Sequence, residues 1–448
     1  MSDKPRLSIH WFRRDLRLAD NHGLYKALSE QGNVLPLFIF DTEILDKLED
    51  KADKRVDFIR RALTGMQEEL VACGSSLLVE YGSPLDVWKR ILERYEVTVV
   101  TANHDHEPYA NARDAAVEKL LSERGVSFLT CKDISIFERS EVVKDDGKPY
   151  TVYSPYMRKW RATFTPNIAK AFPSEDLLDH FWKTAPLPLP SLADIGFLPT
   201  DLAVPPTSVS DELLRHYDRT RDLPAIAGTS RMSVHLRFGT VSARELVRRS
   251  MDISPKYLNE LIWREFYMQI VWHFPQVEKA FKPAYDAIEW RNDEREFAAW
   301  CEGRTGYPLV DAGMRELNAT GLMHNRVRMV VASFLTKHLL IDWRWGEAYF
   351  AAKLLDFELS SNNGGWQWAS STGCDAAPYF RVFNPRLQLE KFDAGLNYVK
   401  RWVPEYGSAN YVLPMVVQEM ARKRAIETYK KGLDGNRVAA QRQTDLFA

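Results

Sequence analysis

The sequence predicts an α/β domain built on a doubly wound parallel sheet, followed by a larger all-helical domain. Three features of the 448 residues lead there: apolar runs alternating with amphipathic segments up to residue 135, a proline-rich stretch at 184–208, and helical periodicity in nearly everything beyond 211. Such a length exceeds one ordinary domain and leaves room for large buried cores. The expected division is 1–135 for the α/β domain, 136–208 for an interdomain linker and 209–448 for the helical domain.

Taken in order, residues 7–12, 34–40, 77–81, 97–101 and 128–131 read as strands, because each is a short apolar run bounded by polar residues. Between them, residues 54–72 and 111–122 place apolar side chains at three- and four-residue spacing and so predict helices. That alternation is the signature of a parallel sheet with crossover helices. It contains neither GxGxxG nor a Walker loop, so ordinary dinucleotide or NTP binding is not supported. The stretch TAPLPLPSLADIGFLPTDLAVPPTS reads as a linker. Helices are predicted over 257–272, 309–317, 325–340 and 345–355, in a region that also holds nine of the thirteen tryptophans.

Composition narrows the function. No apolar run approaches the ~18 to 20 residues of a membrane span, and the longest, 329–341, is broken by Lys337 and His338. The N-terminal string lacks the apolar core of a signal peptide, so a cytosolic protein is expected. Four scattered cysteines offer no disulfide framework or zinc pattern. The net charge of −1 excludes a uniformly basic coat, but residues 1–140 carry 20 Lys+Arg against 24 Asp+Glu and residues 209–448 carry 33 against 29. Cations clustered on one face of the second part would suit a phosphate backbone.

Several strings carry candidate chemistry. WFRRDLRLADN follows the first strand directly and in isolation reads as a solvated charge cluster with a helix cap at Asp20. GTSRMS offers hydroxyls, backbone amides and an arginine, which suits a pyrophosphate or a capped turn. YLNELIWREFY places Tyr257, Glu260 and Arg264 near one helix face; a Glu260–Arg264 ion pair beside a core stripe and a base-stacking pocket both fit. In MHNRVRM, Arg326 and Arg328 fall on different faces, one to meet phosphate and one to pair inward. DFELSSNNGGWQW brings paired amides, then Gly364 and Gly365, where close backbone approach suits a planar ligand or a turn between helices.

These strings, with RTGYPLVDAGMRELNATGL and ASSTGCDAAPYFRVFNP, occur in one order across nearly the whole chain and resemble the photolyase and cryptochrome family, in particular the class I cyclobutane pyrimidine dimer photolyases. The resemblance implies a lyase that binds FAD in the helical domain, is active with the flavin reduced, and repairs UV-damaged DNA as a monomer in the cytosol. Tyr217, Thr229, Ser230, Arg231, Met232 and Ser233 match the residues that grip the ribityl and phosphate portion. Arg328 and Asp356 match the ion pair against the isoalloxazine, and Asn362 the amide facing flavin N5. Tyr257 stands where many relatives have tryptophan, and Phe357 and Glu358 where several have Gly and Asp.

For the lesion, the resemblance implies walls at Trp263 and Trp368, Met329 and Asn325 nearby, Arg264 and Tyr267 binding the lesion or its DNA from the same helix as Trp263, and Glu260 bonding the pyrimidine carbonyl. Arg326, Arg381 and Gln388 match the DNA-facing rim, and Trp366, Trp343 and Trp290 the chain that carries an electron from the surface. Glu107 and Lys279 match contacts to a methenyltetrahydrofolate antenna, but Glu278 stands where a well-known relative has cysteine, so folate, deazaflavin, flavin mononucleotide and no antenna stay open. A cryptochrome-like photoreceptor without repair is the alternative. Asn362 opposes it, since familiar receptors place Asp or Cys there, and so do the few residues after Pro404. A (6-4) photoproduct enzyme would need a second pocket histidine beside His324, and a generic flavin oxidoreductase leaves Glu260 and its aromatic neighbours unexplained.

Overall fold

The computed structural model describes residues 4–445. Spatial contacts divide the chain into two units that interleave along the sequence: one comprises Met1–Val142, Lys159–Val209 and Arg231–Glu265, the other Val143–Arg158, Ser210–Ser230 and Phe266–Ala448.

The first unit is built on five parallel strands, β1 (Arg6–Phe12), β2 (Val34–Asp41), β3 (Leu78–Gly82), β4 (Glu96–Asn103) and β5 (Ser127–Cys131), in the order β3-β2-β1-β4-β5. The sheet grows outward in both directions from β1, which is the doubly wound arrangement the alternation predicts. β2 is buried along its whole length because helices cover both faces. Each strand lies within two residues of its expected bounds; β4 runs longer because Glu96 pairs with Arg6 and Asn103 with Cys131. The Lys54–Ala72 helix starts at Asp53, whose side chain accepts from the Arg55 amide, and the Pro84–Arg94 helix at Ser83, with proline in its first turn.

The string WFRRDLRLADN is not a solvated cluster. Arg14, Asp15, Arg17 and Asp20 are all buried. Arg17 donates to Asp133 (2.7 Å) and to the Gly239 carbonyl (3.0 Å), and Arg244 donates to Asp133 and to Asp20, 2.8 Å each. Ser242 adds a hydroxyl bond to Asp20 (2.7 Å). Asp20 adopts φ +44° and is committed to this network, so the helix cap falls one residue on, at Asn21, which accepts from the Leu24 amide. Charges at this depth persist only because each has an opposite partner and further donors.

The proline-rich stretch is a fixed strap of the first unit. The Thr184 amide donates to the Gly74 carbonyl (3.1 Å), Arg60 to the Pro190 carbonyl (2.6 Å), and the Thr200 amide and hydroxyl to Asp57 (3.1 and 2.5 Å). Prolines give it no repeating ladder, hence its resemblance to a linker, but arginines of the Lys54–Ala72 helix satisfy its carbonyls.

The second unit is helical. Pro308–Thr320, Asn325–Ser333, Trp343–Lys353 and Leu359–Ser370 surround a core that includes Val310, Met314, Val327, Val331, Phe350 and Trp366. The periodicity at 325–340 predicts one helix, but α-helical pitch stops at Ser333 and a π-turn, Phe334–His338, follows. Lys337 lies in that turn, buried, with its ammonium bonded to the Ser370 carbonyl and Ser371 hydroxyl (3.1 and 2.9 Å). Among the described residues, no helix is long and apolar enough to cross a membrane.

Removing the Arg244 guanidinium leaves two carboxylates buried without it, and Asp133 is fully inaccessible. Arg244→Ala is expected to destabilise the protein by about 3 to 5 kcal/mol, measured as a lower denaturation midpoint in urea; a loss below about 1 kcal/mol would mean that the network is solvated.

Candidate functional site

Within the second unit, three helices assemble the residues expected to meet a flavin. Arg328 lies one turn into Asn325–Ser333, and its guanidinium is fixed at both ends: Nε donates to the Met323 carbonyl (2.7 Å), Nη2 to both oxygens of Asp356 (3.0 and 2.9 Å). Asp356 is buried and Arg328 half-buried, so this is a preorganised, partly desolvated pair. Arg326 is paired as well, to Asp222 (3.2 and 2.8 Å), with its guanidinium 4.5 Å over the Phe392 ring. Both arginines thus have carboxylate partners, where the sequence expects only one to pair inward.

Asn362 and Asn363 face different tasks although they are neighbours. Asn362 donates both of its amide bonds to Glu347, at the carbonyl (3.1 Å) and at Oε1 (2.8 Å), so its own carbonyl oxygen is the group left for a ligand. Burial pushes the Glu347 carboxyl upward, the Asn362 bond pulls it back, and Glu278 pushes it up again. Asn363 is internal. Its carbonyl accepts from Gln367 (2.7 Å), which also holds the Val277 carbonyl and the Phe281 amide. Glu358 caps the Leu359–Ser370 helix, accepting from the Ser361 amide (3.2 Å) and from the hydroxyls of Ser360 and Ser361.

The two glycines also separate. A Cβ on Gly364 would lie 2.2 Å from the Tyr267 ring, so this glycine makes room for the protein's own aromatic; a Cβ on Gly365 would meet nothing within 4 Å. Gly346 serves Trp366 in the same way, at 2.1 Å. Trp366 and Trp343 are buried in one hydrophobic core, and half-buried Trp290 packs against it beside Tyr429 (5.8 Å between rings). Trp368 is half-buried 6.4 Å from the Phe383 ring, Asn325 and Arg381 are exposed, and Met329 and Gln388 are half-buried. Tyr217 is buried beneath the Arg221 guanidinium (5.6 Å), and Gly228 presses on Thr220, which ties the start of the 229–230 loop to the Asp211–Thr220 helix. Lys279 is exposed and gives its carbonyl to Arg344 (2.9 Å).

In the first unit, Tyr257 is buried and Glu260, Trp263 and Arg264 are half-buried on the Pro255–His273 helix. Arg264 turns its guanidinium to the carbonyls of Ile134 (2.6 Å) and Leu236 (3.1 Å) rather than outward. Arg231 has φ +54°, and Met232 and Ser233 lead into the Ser233–Phe238 helix. Glu107 accepts from Arg14 and Arg237, 3.1 Å each. Sequence reasoning misses Glu347, Asp222 and Glu265: the first two belong to no motif, Glu265 stands in YLNELIWREFY without a role assigned to it, and each is defined by a partner at least 15 positions away.

A parallel α/β module with a helical module carrying a fixed Arg–Asp pair and a polarised amide defines a two-part cofactor protein. A family model described as DNA photolyase matches residues 8–175, and one described as the FAD binding domain of DNA photolyase matches residues 257–430. A deoxyribodipyrimidine photo-lyase of Halobacterium salinarum is 39% identical over 434 residues, spanning 89% of each chain. A class III photolyase structure from Agrobacterium tumefaciens superposes with a TM-score of 0.85 at 33% identity, covering 96% of this chain and 98% of that one. An archaeal photolyase from Sulfolobus tokodaii, solved with two FAD molecules, gives 0.78 at 33% identity over 95% and 99%. The chain belongs to the DNA photolyase family. Its likeness to a class III structure makes that statement one about the family rather than about class I.

The residues present fit a flavin. His324 accepts the Arg326 amide on Nδ1, so Nε2 carries the proton, and this buried donor has no hydrogen-bond partner among the described residues. Burial pushes the ring down to about 4, which keeps it a neutral donor at neutral pH. Arg328 and His324 are donors and the Asn362 carbonyl is an acceptor, groups of the kind that the edge of a heteroaromatic ring takes.

The glycine geometry gives a contrast. Gly364→Ala is expected to cost about 1 to 3 kcal/mol by overpacking against Tyr267, whereas Gly365→Ala in the same helix gains about 0.5 to 1 kcal/mol from propensity. Thermal melts of the two variants check this; equal shifts would remove Tyr267 as the reason for Gly364.

Proposed function

We propose that the protein repairs cyclobutane pyrimidine dimers in UV-damaged DNA in a light-driven reaction, acting as a monomer in the cytosol. The full-length likeness to a deoxyribodipyrimidine photo-lyase carries the reading, at 39% identity over 89% of both chains. Bound FAD in its fully reduced form would supply a light-excited electron donor for a reaction with no net redox change.

The chain's own residues bind, orient and exclude water. Tyr217 and residues 229–233 hold the ribityl and phosphate portion. Arg328 with Asp356 supports the isoalloxazine, and the fixed carbonyl of Asn362 accepts a bond from an N–H, which the reduced ring offers at N5 and the oxidised ring does not. That preference favours repair over the photoreceptor alternative. Glu347, by holding the Asn362 amide, sets which end of it faces the ligand.

For the substrate, Glu260 bonds the pyrimidine edge, Trp263 and Trp368 stack against the extruded dimer, and Asn325 and Met329 lie against it. Extrusion costs a few kcal/mol, less at a dimer whose pairing and stacking are already weakened, which supplies selectivity without base reading. Arg381 and Gln388 contact the backbone. Arg326 reaches it only by sharing its guanidinium with Asp222. Trp366, Trp343 and Trp290 relay an electron that restores the reduced flavin. A light-harvesting antenna is left open among folate, deazaflavin and flavin mononucleotide; two arginines already engage Glu107.

Incubating the reduced protein with dimer-containing DNA in light and in dark decides the main point: pyrimidines are expected to return only in the light, and a protein that restores none is a photoreceptor or something else. Trp290→Phe is expected to slow photoreduction of the oxidised flavin by at least about tenfold, since one relay site is lost, while repair by chemically reduced protein stays at parental yield. Unchanged photoreduction would take Trp290 out of the relay.

A further inference from the structure

The Pro255–His273 helix presents Glu260 and Trp263, and two adjacent residues anchor it within the first unit. Arg264 donates to the carbonyls of Ile134 and Leu236 (2.6 and 3.1 Å). Glu265 accepts from the amides of Ile136 (2.5 Å) and Phe137 (3.3 Å) and from the indole N–H of Trp160 (2.6 Å). Near the start of the helix, Arg161 holds the Asn259 side chain (3.0 Å) and the Pro255 carbonyl (3.1 Å). With about 100° between successive residues, Glu265 projects about 140° away from Glu260 and about 160° from Trp263. Glu265 therefore grips the side of the helix opposite the residues expected to meet the lesion, while Arg264, about 40° from Glu260, holds the helix beside that face.

Packing alone does not call for an acid here. Glu265 is 4% exposed, and burial pushes its carboxyl up to about 7 against the pull of its three donors. An apolar residue would avoid that desolvation but would leave the Ile136 and Phe137 amides and the Trp160 indole without their acceptor. What an apolar residue cannot do is fix rotation: three donors converging from two chain segments accept a carboxylate in one orientation only. Arg264 adds a second constraint from the neighbouring direction.

We infer that Glu265, together with Arg264, is a positioning residue for repair, fixing the rotation of this helix through residues 134–137 and Trp160 and so the aim of Glu260 and Trp263. The inference rests on the repair reading above. A side-chain tip about 6 Å from the helix axis moves about 1 Å for a rotation of about 10°, and a displacement of that size can cost on the order of 100-fold in rate. Arg264 accordingly acts through the helix rather than by meeting DNA.

The test uses the FAD-loaded protein and the variants Glu265→Ala and Glu265→Gln. Four quantities are measured: flavin content, flavin photoreduction, the ratio of affinities for dimer-containing and undamaged DNA, and the repair yield. Glu265→Ala is expected to keep flavin content and photoreduction while losing about tenfold or more in the affinity ratio and in yield. Glu265→Gln, which retains one acceptor oxygen, is expected to fall between it and the parent. Parental ratio and yield in either folded variant overturn the inference. So does loss of flavin or of fold in both, which would make the residue a structural one. A parent that repairs nothing in the light removes the repair reading itself, which is a separate result.

Discussion

Burying charge is tolerable only when the partners are already in place, and that constraint organises the first unit. Asp133 and Asp20 are held by Arg17, Arg244 and Ser242, residues drawn from the end of β1 and from the start of the Ala243–Ile253 helix. Neither segment can move without exposing an unpaired charge to a low-dielectric interior, where the penalty is several kcal/mol per ion. The next helix along the chain, Pro255–His273, inherits a fixed origin and is then fixed in rotation by Arg264 and Glu265. The network is weak evidence for stability as such; its effect is to permit one arrangement of these segments.

The same logic recurs in the second unit on a smaller scale. Arg328 is held by Asp356 and Met323, Arg326 by Asp222, and Asn362 by Glu347. Each of these groups is fixed in place by a partner within the protein. A cation or amide held this way loses little further entropy when a ligand arrives, which is the physical content of preorganisation.

Much of the fold was legible because its signals are local. Apolar runs of strand length and three-to-four spacing survive in the sequence, so the five strands and the helix at 54–72 fall where expected. The π-turn at Phe334–His338 was not legible, since its residues are as apolar and periodic as the helix before it. The strap at 184–208 looked like a linker because composition records missing N–H donors but not the distant arginine that satisfies the Pro190 carbonyl. Asp57, Glu347 and Glu265 were invisible for the same reason: their roles come from partners brought by the fold.

The site shows why motif reading stops short of roles. Neighbours on a helix point about 100° apart, so a motif of adjacent alike residues contains different jobs. Asn362 gives both amide hydrogens to Glu347 while Asn363 secures Gln367; Gly364 yields space to Tyr267 while Gly365 faces open space. Trp263 faces the side expected to meet the substrate, while Arg264 and Glu265 grip the 134–137 segment. A pair of like residues in sequence therefore gives the chemistry available to a site, and only the partner of each gives the direction in which it is used.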